Sequence, residues 1–172
     1  MIFKKRNDPK NAKVQEVKNE ETAIVLNWEA NWDIGSPCPH VISSGSKTFL
    51  IYYLNDVESE GDTSVALVEF IDCYSSKFGG ANDEVISGHS LWGKGLEYYS
   101  AHQILNSNWI EQEMKTNSIH PYFNKDRWEE RKHYMLLFHD EIFECIASGY
   151  RIEVFQETLS NVFQEAQRRV FE

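Results

Sequence analysis

The stretch that decides the fold is HYMLLFHDEIFECIASGYRIEVF, residues 133–155. Three apolar runs are separated by the short polar breaks HDE and SG, a spacing typical of strands joined by tight turns. It predicts a three-stranded antiparallel meander. Strand alternation gives the first two runs one shared face, formed by Tyr134, Leu136, Phe138, Phe143, Cys145 and Ala147. The opposite face takes Met135, Leu137, His139, Ile142, Glu144 and Ile146. Because both faces are mostly apolar, this strand pair should be covered on both sides.

Outside this stretch, β-branched and aromatic residues predict further strands at 22–28, 47–54, 64–74 and 97–105. Glycine and proline predict loops over residues 33–46 and 75–96. A short helix is expected at 107–117, where Asn108 and Glu111 resemble a capping box, and another helical turn at 126–129. The last segment is predicted to be an amphipathic helix packed on the sheet through Leu159, Val162, Phe163, Ala166 and Val170.

These elements predict an α+β fold with a mainly antiparallel sheet. Residues 21–172 are expected to form a single domain, preceded by a polar, lysine-rich arm at residues 1–20. The 172 residues are enough for a sizeable core without disulfides or metals, and aromatic residues make up 13% of them. The composition therefore argues against a disordered chain.

Charge and cysteine content exclude several classes of function. The formal net charge is −10, so the basic surface typical of nucleic-acid or membrane binding is missing. Three cysteines without a C-x-x-C pair indicate free thiols in a reducing compartment, and six histidines without close pairs give no metal-site motif. We therefore expect a soluble cytoplasmic protein that uses no cofactor or metal and binds neither nucleic acid nor membrane. A protein or small ligand is the expected partner.

GHSLWGKG, residues 88–95, resembles a phosphate-binding loop of the form G-x-x-x-x-G-K. Gly95 stands where such loops carry the Ser or Thr that binds magnesium, and residues 96–103 favour a strand where a helix is required. The sequence therefore predicts that no nucleotide binds at 88–95.

The long loop at 75–96 is still a candidate binding surface, because long ordered loops are often functional. Its candidate contact residues are Asn82, Asp83, Glu84, His89 and Trp92. The alternative is a surface loop held in place by packing of Phe78 and Trp92. The nearby aromatic residues Tyr98, Tyr99 and Trp109 are expected in the core or in a protein-contact surface.

Several phrases together carry a resemblance: GSPCPHV, KFGGANDEVISGHSLWGKGL, NSNWI and HYMLLFHDEIFECIA. Across residues 35–147 the chain resembles an uncharacterised family of small bacterial proteins. The resemblance implies a bacterial origin and supplies no activity, ligand or fold.

The predicted hairpin supplies the catalytic candidates His139, Asp140 and Glu144. With a two-residue turn at Asp140–Glu141, His139 and Glu144 share a face and lie diagonally across the strand pair, where they are expected to interact. They form either an acid–base pair or a structural hydrogen bond, or else His139 lies at the rim of the sheet and caps the turn through Asp140.

The function expected from these features is that of a non-catalytic cytoplasmic binding or interaction domain using the 75–96 loop. An accessory or immunity-type role against a basic protein suits the acidic charge. The alternative is a small hydrolase or a metal-dependent enzyme with a His, Asp and Glu site.

Overall fold

The computed structural model describes residues 19–45, 47–55 and 64–172, so most of the predicted arm lies outside the described residues. The described strands are β1 (Thr22–Val25), β2 (His40–Ser44), β3 (Lys47–Tyr53), β4 (Val65–Ile71), β5 (Ser75–Gly79), β6 (Ala101–Leu105), β7 (Lys132–Leu137), β8 (Ile142–Ala147) and β9 (Gly149–Phe155). The helices are α1 (Asn108–Asn117), α2 (Lys125–Glu129) and α3 (Leu159–Val170), with a 3₁₀ helix at Asp83–Gly88. The predicted α+β class, with mainly antiparallel sheet, is confirmed.

The strands form two antiparallel sheets that enclose the main core between them. The first sheet has the order β1-β6-β7-β8-β5 and the second the order β2-β3-β4-β9. Phe70 of β4 shows how they meet: its ring centroid lies 5.0 Å from that of Phe143 and 5.9 Å from that of Tyr134, both in the first sheet. All six side chains predicted to share the first face of the hairpin lie in this core, which confirms that face assignment.

The third strand of the quoted stretch leaves the first sheet. β9 pairs with β4 of the second sheet, from Gly149 opposite Ile71 to Phe155 opposite Val65. The crossing is made at Ser148, whose backbone N–H donates to the Ile71 carbonyl at 2.9 Å. The predicted three-stranded meander is therefore wrong. Alternation tells which side of a strand faces the core, but it carries no information about the strand that pairs with it.

Each sheet also has a covered outer face. Ile86 and Leu91, from the segment after β5, are buried against Met135 and Leu137 on the first sheet. On the second sheet, α3 is anchored by the fully buried Val162 and Ala166. Leu159, Phe163 and Val170 are only partly buried there. The predicted docking of the last helix through these side chains is confirmed.

Two predicted loops contain edge strands. β2 lies inside the loop predicted at 33–46, and β5 begins the loop predicted at 75–96. Both lie at a sheet edge and their side chains are half-buried or exposed. Such strands need little apolar alternation, since backbone hydrogen bonds to a neighbouring strand hold them in place.

The helix starts are shifted by one or two residues from the predicted ones. Ser107, rather than Asn108, caps α1, because its hydroxyl accepts the Ile110 N–H at 3.2 Å. Asn124 caps α2 in the same way. Within the described ranges, no helix combines the length and the apolar character needed to cross a bilayer.

Candidate functional site: an aromatic and acidic surface

The phosphate-loop-like segment is a turn that packs against β1. The Lys94 ammonium lies 2.9 Å from the Glu20 carboxylate, and the Lys94 carbonyl accepts the Ala23 N–H at 2.9 Å. Gly95 has a φ of +89°, and a Cβ at this position would lie 2.1 Å from the Ala23 carbonyl oxygen. The glycine in the place of the magnesium-binding residue is thus required by a close backbone approach. The next regular element is strand β6, not a helix.

Three chain segments meet around Asp83, the first residue of the 3₁₀ helix. Its backbone N–H donates to the His139 carbonyl at 3.0 Å, and the Tyr99 hydroxyl donates to Asp83 Oδ2. His139 Nε2 lies 3.8 Å from the same carboxylate oxygen, while His139 Nδ1 lies 2.9 Å from Asp140 Oδ1. These contacts join the 3₁₀ helix, the segment before β6 and the β7–β8 turn.

An aromatic row continues from this point. The rings of Tyr99 and His139 are stacked with centroids 6.4 Å apart; Tyr98 follows at 6.0 Å from Tyr99, and Trp92 at 5.4 Å from Tyr98. Trp92 is 41% and Tyr98 44% exposed, so much of the row faces solvent. Tyr99 has a φ of +50°, which is uncommon for an aromatic residue. We call the whole set the aromatic–acidic surface: Trp92, Tyr98, Tyr99, His139, Asp83, Glu84 and Asp140.

The carboxylates of this surface change the titration of its other groups. The hydrogen bond to Asp140, together with the charges of Asp140 and Asp83, raises the pKa of His139. The hydrogen bond to Asp83 raises the pKa of Tyr99. When His139 is neutral, the surface therefore carries uncompensated negative charge beside exposed rings.

The remaining candidates from the 75–96 segment have other surroundings. Asn82 precedes the 3₁₀ helix and makes no side-chain cap. Glu84 is exposed, and its charge helps to raise the pKa of His139. His89 is half-buried, and its Nδ1 accepts the Leu91 N–H at 3.2 Å. Of the five predicted contact residues, Asp83, Glu84 and Trp92 are thus brought together with His139.

The expected interaction of His139 with Glu144 is wrong. Leu137 pairs with Ile142, so the turn is centred on His139–Asp140 rather than on Asp140–Glu141. Glu144 Oε2 instead lies 2.9 Å from His133 Nε2. Because of this shift in register, Glu144 lies next to His133 near the start of β7, and not next to His139, which follows the end of β7.

His133 is the central residue of a buried polar chain that the sequence reasoning missed. Its side chain is 4% exposed, and its Nδ1 lies 2.9 Å from the Ser107 hydroxyl. Trp109 packs edge-on against its ring at 5.1 Å, and the Lys77 ammonium lies 3.6 Å above the Trp109 ring. Burial raises the pKa of Glu144, but the hydrogen bond and charge of His133 outweigh it, so the pKa is lowered.

The order Ser107–His133–Glu144 resembles the arrangement that activates serine in hydrolases. Here the Ser107 oxygen already accepts the Ile110 N–H, and the Asn108 N–H donates to Glu21 Oε1 at 2.8 Å. A carboxylate therefore occupies the N–H of the residue after the serine, a donor with which such hydrolases stabilise an oxyanion. The geometry supports a structural role, in which this chain ties the start of α1 to the first sheet.

In the part of the chain that the structure describes, no three His, Cys, Asp or Glu side chains are grouped so that they could hold a metal ion.

Profiles of known protein families gave no match to this chain, and neither the curated proteins nor the solved structures searched contained a match. The resemblance to small bacterial proteins stays a prediction.

Proposed function

We propose that this protein is a non-catalytic binding domain that recognises a cationic segment of a partner protein through the aromatic–acidic surface. The observation that carries the proposal is the row of Trp92, Tyr98, Tyr99 and His139, exposed at Trp92 and Tyr98, beside the carboxylates of Asp83 and Asp140. A guanidinium or ammonium group can lie on an aromatic face while a neighbouring carboxylate accepts its hydrogen bonds.

The charge of the whole chain supports the same partner. A net charge of −10 attracts a basic protein over distance and speeds its association, while exposed aromatic residues supply contact area. Neutralisation of a basic toxin by an immunity-type protein is one role with this requirement. We place the protein in the cytoplasm of a bacterium, a location with which its three free thiols are compatible.

The experiment is a calorimetric titration with a peptide of alternating glycine and arginine, compared with the same peptide carrying neutral citrulline. The arginine peptide should bind saturably. The citrulline peptide should bind at least about tenfold more weakly. Tyr98→Ala should weaken arginine-peptide binding about 3- to 10-fold, the effect of one cation–π contact. Asp83→Asn combined with Asp140→Asn should weaken it further and reduce its salt dependence.

Glu157→Gln, at an exposed carboxylate outside the surface, is the matched control and should leave binding nearly unchanged. Equal affinity for the arginine and citrulline peptides would contradict cation recognition. Equal weakening by Tyr98→Ala and Glu157→Gln would remove the surface from the proposal and leave only the net charge.

Binding should also depend on pH through His139. Protonation puts a positive charge between Asp83 and Asp140 and repels the cationic ligand. Because the pKa of His139 is raised above its ordinary value of 6.5, affinity should increase as the pH rises above that value. His139→Gln should give a flatter profile over the same range, measured with the same peptide.

A further inference from the structure

A cleft of about 370 Å³ carries a positive charge, opposite to that of the aromatic–acidic surface. It lies between the end of α1, α2 and the turn after β4, and we call it the arginine cleft, with Tyr74, Asn117, His120, Arg127, Trp128 and Arg131 in its lining. Its volume falls within the range of small-molecule sites.

Arg131 lies against two aromatic faces in this cleft. Its guanidinium carbon lies 4.1 Å from the centroid of the Trp128 ring and 4.6 Å from that of Tyr74. Its Nη1 is buried and has no hydrogen-bond partner among the residues that the structure describes. An arginine so fixed keeps the planar fork of donors with which guanidinium groups bind oxyanions.

Arg127 adds a second positive charge, one helical turn before Arg131. Burial and the charge of Arg127 lower the pKa of Arg131, and the weaker opposing charge of Asp72 does not restore it. Among the described residues, no carboxylate forms an ion pair with either guanidinium. In a chain with ten more formal negative charges than positive ones, two neighbouring arginines without an acidic partner leave room for an anion.

Asn117 and His120 line the cleft together with these two arginines. Asn117 donates to the Tyr74 hydroxyl at 2.7 Å and so fixes the ring beneath Arg131. His120 Nδ1 accepts the Tyr122 N–H at 3.2 Å, which leaves its Nε2 as a donor.

We propose that the arginine cleft binds a small phosphate monoester. The two guanidinium groups and the imidazole donor match a dianion with three acceptor oxygens better than a monocarboxylate with two. The arginine cleft shares no residue with the aromatic–acidic surface, so either proposal can fail alone.

The test is calorimetry with phenyl phosphate at constant ionic strength, with benzoate as the singly charged aromatic probe and inorganic phosphate as the competitor. Phenyl phosphate should bind saturably and about tenfold more tightly than benzoate, and inorganic phosphate should displace it. Arg131→Gln and Arg127→Gln should each weaken binding about tenfold, which is the loss of one charge-assisted contact. Arg168→Gln, at an exposed arginine paired with Glu165, should leave the affinity unchanged.

Arg127 is exposed, so Arg127→Gln decides the question if Arg131→Gln fails to fold. The proposal is overturned by absence of saturable phenyl phosphate binding, by benzoate binding of equal affinity, or by failure of inorganic phosphate to compete. It is also overturned if Arg127→Gln binds phenyl phosphate as tightly as Arg168→Gln does.

Discussion

Replacing His133 by alanine should lower the free energy of unfolding by about 3 kcal/mol. The substitution removes a buried ring and leaves the Ser107 hydroxyl and the Glu144 carboxylate without their partner. The hydrogen bond to a neutral group contributes about 1 kcal/mol and the one to a carboxylate about 2 kcal/mol. Because the Glu144 side chain is 20% exposed, water replaces part of its lost hydrogen bond and reduces that contribution. The cavity left beside Trp109 costs about as much free energy as the water recovers. For a chain of this length the melting temperature should fall by about 6–12 °C.

Urea unfolding, followed by tryptophan fluorescence and by circular dichroism, measures the change. Glu144→Gln keeps an acceptor for His133 and should cost only about 1 kcal/mol. In a double-mutant cycle, His133→Ala and Glu144→Ala should be coupled by at least about 1 kcal/mol. His139→Ala is the matched control, because His139 lies in an exposed turn, and it should change the melting temperature very little. If His133→Ala and His139→Ala destabilise equally, the polar chain does not anchor α1 and the reasoning fails.

The remaining predictions concern packing, acid stability and the phosphate-loop-like turn. Gly95→Ala should destabilise by about 3 kcal/mol or more, since its Cβ would meet the Ala23 backbone, whereas Gly88→Ala, with nothing within 4 Å, should be nearly neutral in the same melts. Phe163→Ala should cost about 2 kcal/mol, below the range for a fully buried phenylalanine, and Phe171→Ala, at an 82% exposed ring, almost nothing. Because the pKa of Glu144 is lowered in the folded protein, its ionised form stabilises the fold at pH values above the ordinary pKa of 4.5, and this stabilisation is lost as the pH falls through the lower folded pKa. The urea midpoints of Glu144→Gln should lack that part of the acid dependence. Calorimetry with ATP or GTP and magnesium should show no binding that depends on Lys94, because Lys94 is already paired with Glu20. Saturable binding that is lost in Lys94→Ala would contradict this.

The parts of the fold that were predictable from the sequence are those where a side chain's surroundings follow from its own strand or helix. Tyr134 and Phe143 were assigned to the correct face because a strand alternates its side chains, whatever pairs with it. The docking face of α3 was predictable for the same reason. The partner of β9 was not, because Ser148 turns the chain into a different sheet through one backbone hydrogen bond that leaves no mark in the hydrophobic pattern.

The candidate site depended on register, which the sequence did not specify. A turn one residue earlier in the chain separates His139 from Glu144 and brings Glu144 to His133. The sequence signal was present, since His133 and Glu144 both lie on the outer face of the hairpin, but choosing between two histidines required the turn geometry. The exposure of Trp92 and Tyr98 was left open for a related reason, because aromatic residues in a glycine-rich segment can cover a sheet, as Leu91 does, or face solvent.

The two proposed ligands carry opposite charges, and strand β7 separates their sites. Arg131 directly precedes β7, whereas His139 lies in the turn that follows it. A strand of this length spans roughly 20 Å, which exceeds the screening length of about 8 Å at physiological ionic strength. The phosphate monoester and the cationic peptide should therefore bind independently. Arg127→Gln should leave affinity for the arginine peptide unchanged, and Asp140→Asn should leave affinity for phenyl phosphate unchanged. If either variant changes both affinities to a similar extent in opposite directions, the binding reflects the overall charge of the protein, and neither site has the local recognition proposed for it.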